Sequence, residues 1–473
     1  MTREQLETLD KDSLITLVLE MREQIAEMAA RIQELEDQVA KNSRNSSKPP
    51  GSDGLKKKPV LKSLREKGKR KPGGQKGHQG KTLKMVSEPD HIYVNKMDVC
   101  PHCESDLSQV SVRRIEKRQV FDIPPIELEA SEYRVEIKDC PNCLCEVKGE
   151  FPADVTQPVQ YGLRIQAQAA YLNNYQLLPL ARICELFADL YGHAPAEALI
   201  LKANQRLAAE IEPALSAIVQ KLKEADTVHC DESGMRVEGK LNWLHVVSNE
   251  TLTAYAVHPK RGQEAMRDIG IVPDLAGWAV HDGWSSYFQF DNCAHALCNA
   301  HHLRELRFIY EQYEQPWAAG MFELLLDIKE EVAATPSEQG QLAPERQAYY
   351  EEQYDWLLQQ GFEANPPPET PPPRKRGRKK QTPPKNLLDR LQKYKAETLA
   401  FMSDFRVPFD NNLAERDVRM MKVKQKVSGT FRTRIGAEVF CDIRSYISTV
   451  RKQGAAVIDA IHDALLKRPF IPA

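Results

Sequence analysis

Three acidic residues far apart in the chain, Asp231, Asp282 and Glu415, have the types and settings best suited to chemistry. Asp231 closes the apolar run of DTVHCDES, Asp282 closes that of GWAVHDGW, and Glu415 lies in DNNLAERDVRMMK. Carboxylates at the ends of neighbouring strands, with a helix behind them, can hold two Mg²⁺ ions about 4 Å apart. One ion then activates an attacking oxygen and the other stabilises the leaving oxygen of a phosphodiester. Helical spacing puts Glu415, Arg419 and Lys422 at i, i+4 and i+7, so a metal ligand would share a face with two phosphate-holding cations. Asn411 and Asn412 are expected to cap that helix, with Asp410 as a further candidate, and Asp410 is also the rival to Glu415 as third ligand. Each acid alone reads equally as a surface carboxylate or a strand cap; their joint placement carries the expectation.

The cysteines point to a second kind of site. CPHC supplies Cys100 and Cys103, and DCPNC supplies Cys140 and Cys143. Two Cys-x-x-Cys knuckles present four thiolates to Zn²⁺, and a closed structural site of this kind has no open position for catalysis. Cys145 could replace Cys143, and His102 reads as a knuckle residue. The interval, with IELEASEYRVEIKDC, reads as strands around a turn at Pro124-Pro125. Cys293, His295, Cys298, His301 and His302 crowd a strand-to-helix junction. They are expected to form a buried strand-to-helix junction, with a second metal cluster as the alternative.

Positioning these groups requires several elements. Residues 226–311 read as three strands, a helix and two further strands, the order of a ribonuclease-H-like α/β domain. Helical sequence and the tract PPPETPPPRKRGRKKQTPPK interrupt it over 312–390 as an insertion. Upstream, 156–222 reads as helices around a turn at Gly192 to Pro195, either a helix-turn-helix or a packing unit. Leu14, Val18, Met21, Ile25, Met28, Ile32, Leu35 and Val39 recur at alternating gaps of four and three. That is the seam of a parallel two-stranded coiled coil. The expected organisation is therefore a coiled-coil helix over 1–40, a basic linker over 41–90 and a zinc-ribbon-like module over 91–155. The helical region over 156–222, the catalytic domain over 223–455 and a C-terminal tail over 456–473 follow.

Formal charge is near neutral, at −2, but strongly segregated. Residues 41–84 hold fifteen Lys or Arg against Asp53 and Glu66, and residues 366–385 hold seven against Glu369. Such stretches favour a polyanionic partner: Lys76 and His78 in the first, and Arg374, Arg376 and Arg378 in the second, are candidate DNA contacts. No apolar run approaches the ~20 residues of a membrane span. Ten cysteines without an export signal read as reduced thiols or metal ligands, hence a cytoplasmic protein.

Taken in order, the seam, GGQKGHQG, CPHC and CPNC, CDES, HDGWSSY, CNAHHLREL and DNNLAERDVR resemble the DDE transposases of the insertion sequence 66 group. The resemblance covers nearly the whole chain. It implies a ribonuclease-H-like catalytic domain with Asp231, Asp282 and Glu415 as the acid triad, and matches Lys422 to the basic residue seven positions beyond the glutamate. It further implies a bacterial enzyme using Mg²⁺ or Mn²⁺ to cut DNA at terminal inverted repeats and to join the freed 3′-hydroxyls to target DNA. A homodimer or larger oligomer and small accessory proteins are its expected partners. The competing expectation is a catalytically inactive, dimeric, zinc-containing DNA-binding regulator.

Overall fold

The computed structural model describes residues 10–46, 83–124, 126–366 and 381–473. The basic segment with Lys76 and His78 and the tract with Arg374, Arg376 and Arg378 lie outside the described residues. The chain divides into two units. One comprises Met1–Lys58, Glu150–Asp189 and His193–Ala473; the other comprises Pro59–Gly149 and Leu190–Gly192.

Helix α1 (Lys11–Ala40) begins where the Asp10 carboxylate accepts the Ser13 N–H, satisfying a donor that the first turn leaves unpaired. Its seam faces solvent in the single chain: Val18, Ile25 and Ile32 are 62%, 59% and 56% exposed. The C-terminal end of α1 is anchored, since Asp37 is buried and accepts a 2.6 Å hydrogen bond from the Tyr313 hydroxyl. Among the described residues, no helix is long and apolar enough to cross a membrane.

In the smaller unit, the two Cys-x-x-Cys segments fold into turns of one design. The Cys100 N–H donates to Ser105 O, and Glu104 N–H donates back to Cys100 O; Cys140, Cys145 and Leu144 repeat the pattern. Glu104 and Leu144 both take positive φ, 57° and 55°, to close the turn. Strands β1 (Ile137–Asp139) and β2 (Glu146–Lys148) pair antiparallel around the second turn. The strand expected from residue 126 onward is confined to 137–139. Ile126 and Tyr133 are exposed, and without an apolar layer to pack against, alternation alone does not hold a strand.

The larger unit continues with α2 (Leu163–Ala170), a π-helical turn at Tyr171–Tyr175, α3 (Leu180–Tyr191), α4 (Glu197–Glu210) and α5 (Glu212–Lys223). The pair α3–α4 has the expected turn, and α4 buries Ile200, Ala203 and Leu207 as a core helix. The sheet follows: β3 (Thr227–Val237), β4 (Lys240–Ser248), β5 (Thr253–His258), helix α6 (Gln263–Ile269), β6 (Trp278–His281) and β7 (Ala294–Leu297). Its order is β5-β4-β3-β6-β7, with β3, β4 and β5 antiparallel and β6 and β7 running parallel to β3. This mixed sheet is consistent with a ribonuclease-H-like domain. Beyond it lie α7 (Asn299–Tyr313), α8 (Pro316–Ala334), α9 (Pro344–Ala364), α10 (Pro383–Lys393) and α11 (Lys395–Ser403). The sheet domain then closes with α12 (Asn412–Ser428), α13 (Arg434–Lys452) and α14 (Val457–Leu465). The inserted helices share a core around Trp317, Tyr354 and Leu388. The stretch expected as a tail carries α14, whose Ile461, Ala464 and Leu465 are fully buried.

Two-residue alternation assigns the faces of β3. Val228 and Cys230 pack with Ile218 and Leu222 of α5 and Met266 of α6. Met235 and Val237 pack on the other face with Ala414, Val418 and Met421 of α12. Asp231 therefore belongs to the α12 face and Glu232 to the opposite one. At the sheet margin, the outward N–H groups of β5 are taken by helix hydroxyls: Thr253 N–H donates to Thr449 Oγ1 at 3.1 Å, and Tyr255 N–H to Ser445 Oγ at 2.8 Å.

Entry into β6 needs a glycine. A Cβ at Gly277 would lie 2.2 Å from the Ala225 carbonyl oxygen and 2.4 Å from that of Asp226. Gly277→Ala is expected to destabilise the domain by ~1–3 kcal/mol, because backbone must move to admit the methyl group. The denaturant midpoint measures it; an unshifted midpoint would contradict so tight an approach.

Candidate active site at the strand ends

Pairing between β3 and β6 runs from Thr227↔Trp278 to His229↔Val280 and then stops. Continuing that register brings Asp231 level with Asp282, on parallel strands about 4.8 Å apart and on the same face. Asp231 is not at a strand end, as the apolar run implied. It lies inside β3, which stays paired with β4 through Val237, and only the side toward β6 is open beyond His229. The register His281↔Leu297 likewise sets Cys298 level with Asp282, and the Cys298 N–H donates to His281 O at 3.0 Å. Asp282 and Cys298 thus follow directly on the carboxyl ends of β6 and β7, where open α/β sheets bind ligands, and Asp231 lies level with them inside β3.

Burial and then the neighbouring Glu232 push the Asp231 carboxyl up to about 7; Asp282 and Glu415 push the same way, while the Glu232 N–H donated to Oδ1 at 2.8 Å opposes them. Such mutual repulsion is what a bound divalent cation relieves. Glu415, in the first turn of α12, has Oε1 buried without a hydrogen-bond partner. Its nearest basic groups are Arg304 Nη2 at 3.7 Å and His301 Nε2 at 3.9 Å, the latter a ring whose pKa burial lowers. Ligand atoms of Cys298, His301 and Glu415 all lie within 4.8 Å of one another. Among the described residues no other three such groups are so close. Asp231, Asp282 and Glu415 are spread more widely, and Cys100, Cys103, Cys140 and Cys143 do not close into one cluster.

What places Glu415 is Asn411. The side-chain amide donates to Cys230 O at 2.7 Å, which leaves Oδ1 to accept from His229 Nδ1 at 2.9 Å, and its backbone N–H donates to Cys298 Sγ at 3.1 Å. Asn411 occupies the N-cap position but makes no capping bond with its side chain. The carboxylate of Asp410 accepts the Asn412 N–H instead, at 3.1 Å. Of the expected candidates, Asn411 thus caps through its backbone alone and Asp410 supplies the side-chain bond, because the Asn411 amide is committed to the sheet. Further along α12, Lys422 Nζ donates to Gly234 O at 3.1 Å, and Arg419 is exposed one turn beyond Glu415.

Sequence reasoning missed the support beneath the aspartates. Glu232, 1% exposed in its side chain, accepts from Arg261 Nη2 at 3.1 Å and Nε at 3.2 Å and from the Tyr287 hydroxyl. Burial raises its carboxyl to about 7. The same guanidinium reaches Asp282 Oδ2 at 3.7 Å and stands 4.1 Å from the Trp284 ring centre and 5.1 Å from that of Trp243. Alternation along CDES was the available sign that Glu232 turns away from Asp231; the loop carrying Arg261 offered none. The histidines at this junction are a neutral relay. Gly283 N–H donates to His281 Nδ1, so Nε2 carries the proton toward His295 Nδ1 at 3.2 Å, and His295 Nε2 donates to Phe290 O at 3.0 Å. Burial lowers the pKa of both rings.

In the cysteine turns, the Ser105 hydroxyl, 3.2 Å from Cys103 Sγ, lowers the Cys103 pKa, with Cys100 adding to it. Backbone N–H groups of Cys143 and Asn142 do the same for Cys140. One cysteine of each pair, Cys103 and Cys140, is therefore biased toward thiolate, the form that binds metal.

A family model described as Transposase IS66 family matches residues 158–439, which include the whole sheet and α12. A family of unknown function matches residues 3–84. No curated protein matches the chain.

Proposed function

From the premise that the chain belongs to the insertion sequence 66 family of transposases, we propose that it cuts DNA at the element's terminal inverted repeats and joins the freed 3′-hydroxyls to target DNA. The carrying observation is the register that sets Asp231 level with Asp282, with the Asp231 carboxyl raised to about 7 by burial first and by Glu232, Asp282 and Glu415 in addition. Acids so placed, with Glu415 Oε1 unpartnered, fit Mg²⁺ or Mn²⁺. Asp231, Asp282 and Glu415 would hold these ions. Bound there, the ions supply the Lewis acidity that activates the attacking oxygen and stabilises the leaving one.

The chain's own groups bind and orient. Arg419, exposed on the Glu415 face, and Lys422 hold phosphates; Arg261 fixes Asp282 and Glu232 from below. Lys76, His78, Arg374, Arg376 and Arg378 track the DNA backbone through contacts that weaken with salt. Water or a 3′-hydroxyl is the nucleophile, so no protein–DNA covalent intermediate forms. Zn²⁺ held by Cys100, Cys103, Cys140 and Cys143 would stiffen the small unit.

The solvent-facing seam of α1 supports a homodimer. Ile25→Lys with Ile32→Lys is expected to convert the dimer to monomer, because two charges would be buried in the seam. Sedimentation reads the outcome, and an unchanged mass would remove α1 from the interface. Small accessory proteins remain part of this reading.

The decisive assay uses a supercoiled plasmid carrying the inverted repeats, with and without Mg²⁺. Nicking and joining that need the metal are expected. Binding without nicking would overturn the enzyme reading and leave an inactive, dimeric, zinc-containing DNA-binding regulator.

A further inference from the structure

The cluster at the head of α7 has chemistry that a pair of oxygen-bound magnesium ions does not use. Cys298, 1% exposed, closes β7, and His301 follows on the first turn of α7. Glu415 approaches from α12, and ligand atoms of all three lie within 4.8 Å of one another.

Two polar atoms in the cluster are buried without a hydrogen bond, His301 Nδ1 and Glu415 Oε1. Unpaired buried polar groups are costly, and each such group in a folded protein calls for an explanation. The Asn411 N–H donated to Cys298 Sγ at 3.1 Å stabilises negative charge on that sulfur. Two features oppose it: burial pushes the Cys298 thiol up to about 12, and Arg304 Nη2, 3.7 Å from Glu415 Oε1, must yield to an arriving cation.

We infer that Cys298, His301 and Glu415 form a second metal site, of sulfur, nitrogen and oxygen donors, that binds a borderline divalent cation such as Zn²⁺ in preference to Mg²⁺. Thiolate and imidazole suit Zn²⁺, Co²⁺ and Cd²⁺, whereas Mg²⁺ demands oxygen ligands in near-octahedral array. Three protein ligands leave a fourth position open, which closed structural zinc sites do not. The site shares Glu415 with the proposed acid triad, but its metal binding does not depend on DNA cleavage.

Titration of the full chain with Co²⁺, read by the thiolate-to-cobalt absorption band, tests the inference. The knuckle cysteines contribute to the same band, so the difference between wild type and variants carries the result. His301→Ala and Cys298→Ser are each expected to lose about one equivalent of bound cobalt per chain. Cys184→Ser, on α3 and outside both cysteine groups, is expected to lose none. Asp231→Asn should keep the extra equivalent while losing cleavage, which separates failure of this site from failure of the triad. Because Cys298 is buried, circular dichroism accompanies its variant; where Cys298→Ser does not fold, His301→Ala alone decides. Wild-type cobalt binding by folded His301→Ala overturns the inference.

Discussion

Asp231→Asn is expected to abolish strand cleavage and, in the presence of chelator, to make the protein more stable. Both results follow from one carboxyl. Its folded pKa is about 7 against an ordinary 3.8, so the native state resists its ionisation. A raised acid favours the fold below the unfolded pKa, and that advantage is lost as pH climbs from about 4 through 7. At pH 8 the whole penalty applies. At roughly 1.4 kcal/mol per pKa unit its ceiling is ~4 kcal/mol, and sharing with Glu232 brings the single-site effect below that.

Asparagine removes the charge yet keeps an oxygen to accept the Glu232 N–H. A melting temperature several degrees higher is therefore expected at pH 8, shrinking toward zero near pH 4. Mg²⁺ should raise the wild-type melting point and leave that of the variant unmoved. Cleavage should fall by at least ~10³-fold, equivalent to about 4 kcal/mol of transition-state stabilisation, with DNA binding retained in a gel-shift assay. Normal nicking by Asp231→Asn would refute the triad.

Asn411→Ala should be the most damaging change that removes no acid or cation from the site. Its amide joins α12 to β3, and truncation strands the Cys230 carbonyl and the His229 Nδ1–H in a buried setting. Each orphaned group costs about 1–3 kcal/mol, so a loss of ~2–4 kcal/mol is expected in chemical denaturation. Because Glu415 lies one turn further along the same helix, a displacement near 1 Å would lower cleavage by ~10²-fold. Amide exchange should quicken in the first turns of α12 while the β3–β4 ladder stays protected. An Asn411→Ala protein with wild-type melting and nicking would show that α12 is held elsewhere.

The sheet was legible because its strands alternate and are punctuated by turn residues, as in VEGK at 237–240 and SNET at 248–251. The position of Asp231 was less so. Polar Asp231-Glu232-Ser233 looks like the end of an apolar run, but β4 keeps pairing alongside it after β6 has stopped. The role of Asn411 was hidden for a different reason: its side-chain partners, His229 and Cys230, lie far away in sequence on β3, and local spacing reports only a cap. Arg261 and Tyr287 sit in loops whose placement comes from tertiary packing. Over 126–136, β-branched and aromatic residues gave the pattern of a strand without the apolar layer that would make one.

The Thr449 and Ser445 hydroxyls on the outer N–H groups of β5 have a consequence for assembly on DNA. With the outward N–H groups of Thr253 and Tyr255 already taken, an incoming peptide finds two fewer ladder bonds to make along β5. Edge-to-edge growth along that flank is thereby disfavoured. Recruitment there then favours side chains, which mutation can retune one at a time, over backbone, which it cannot.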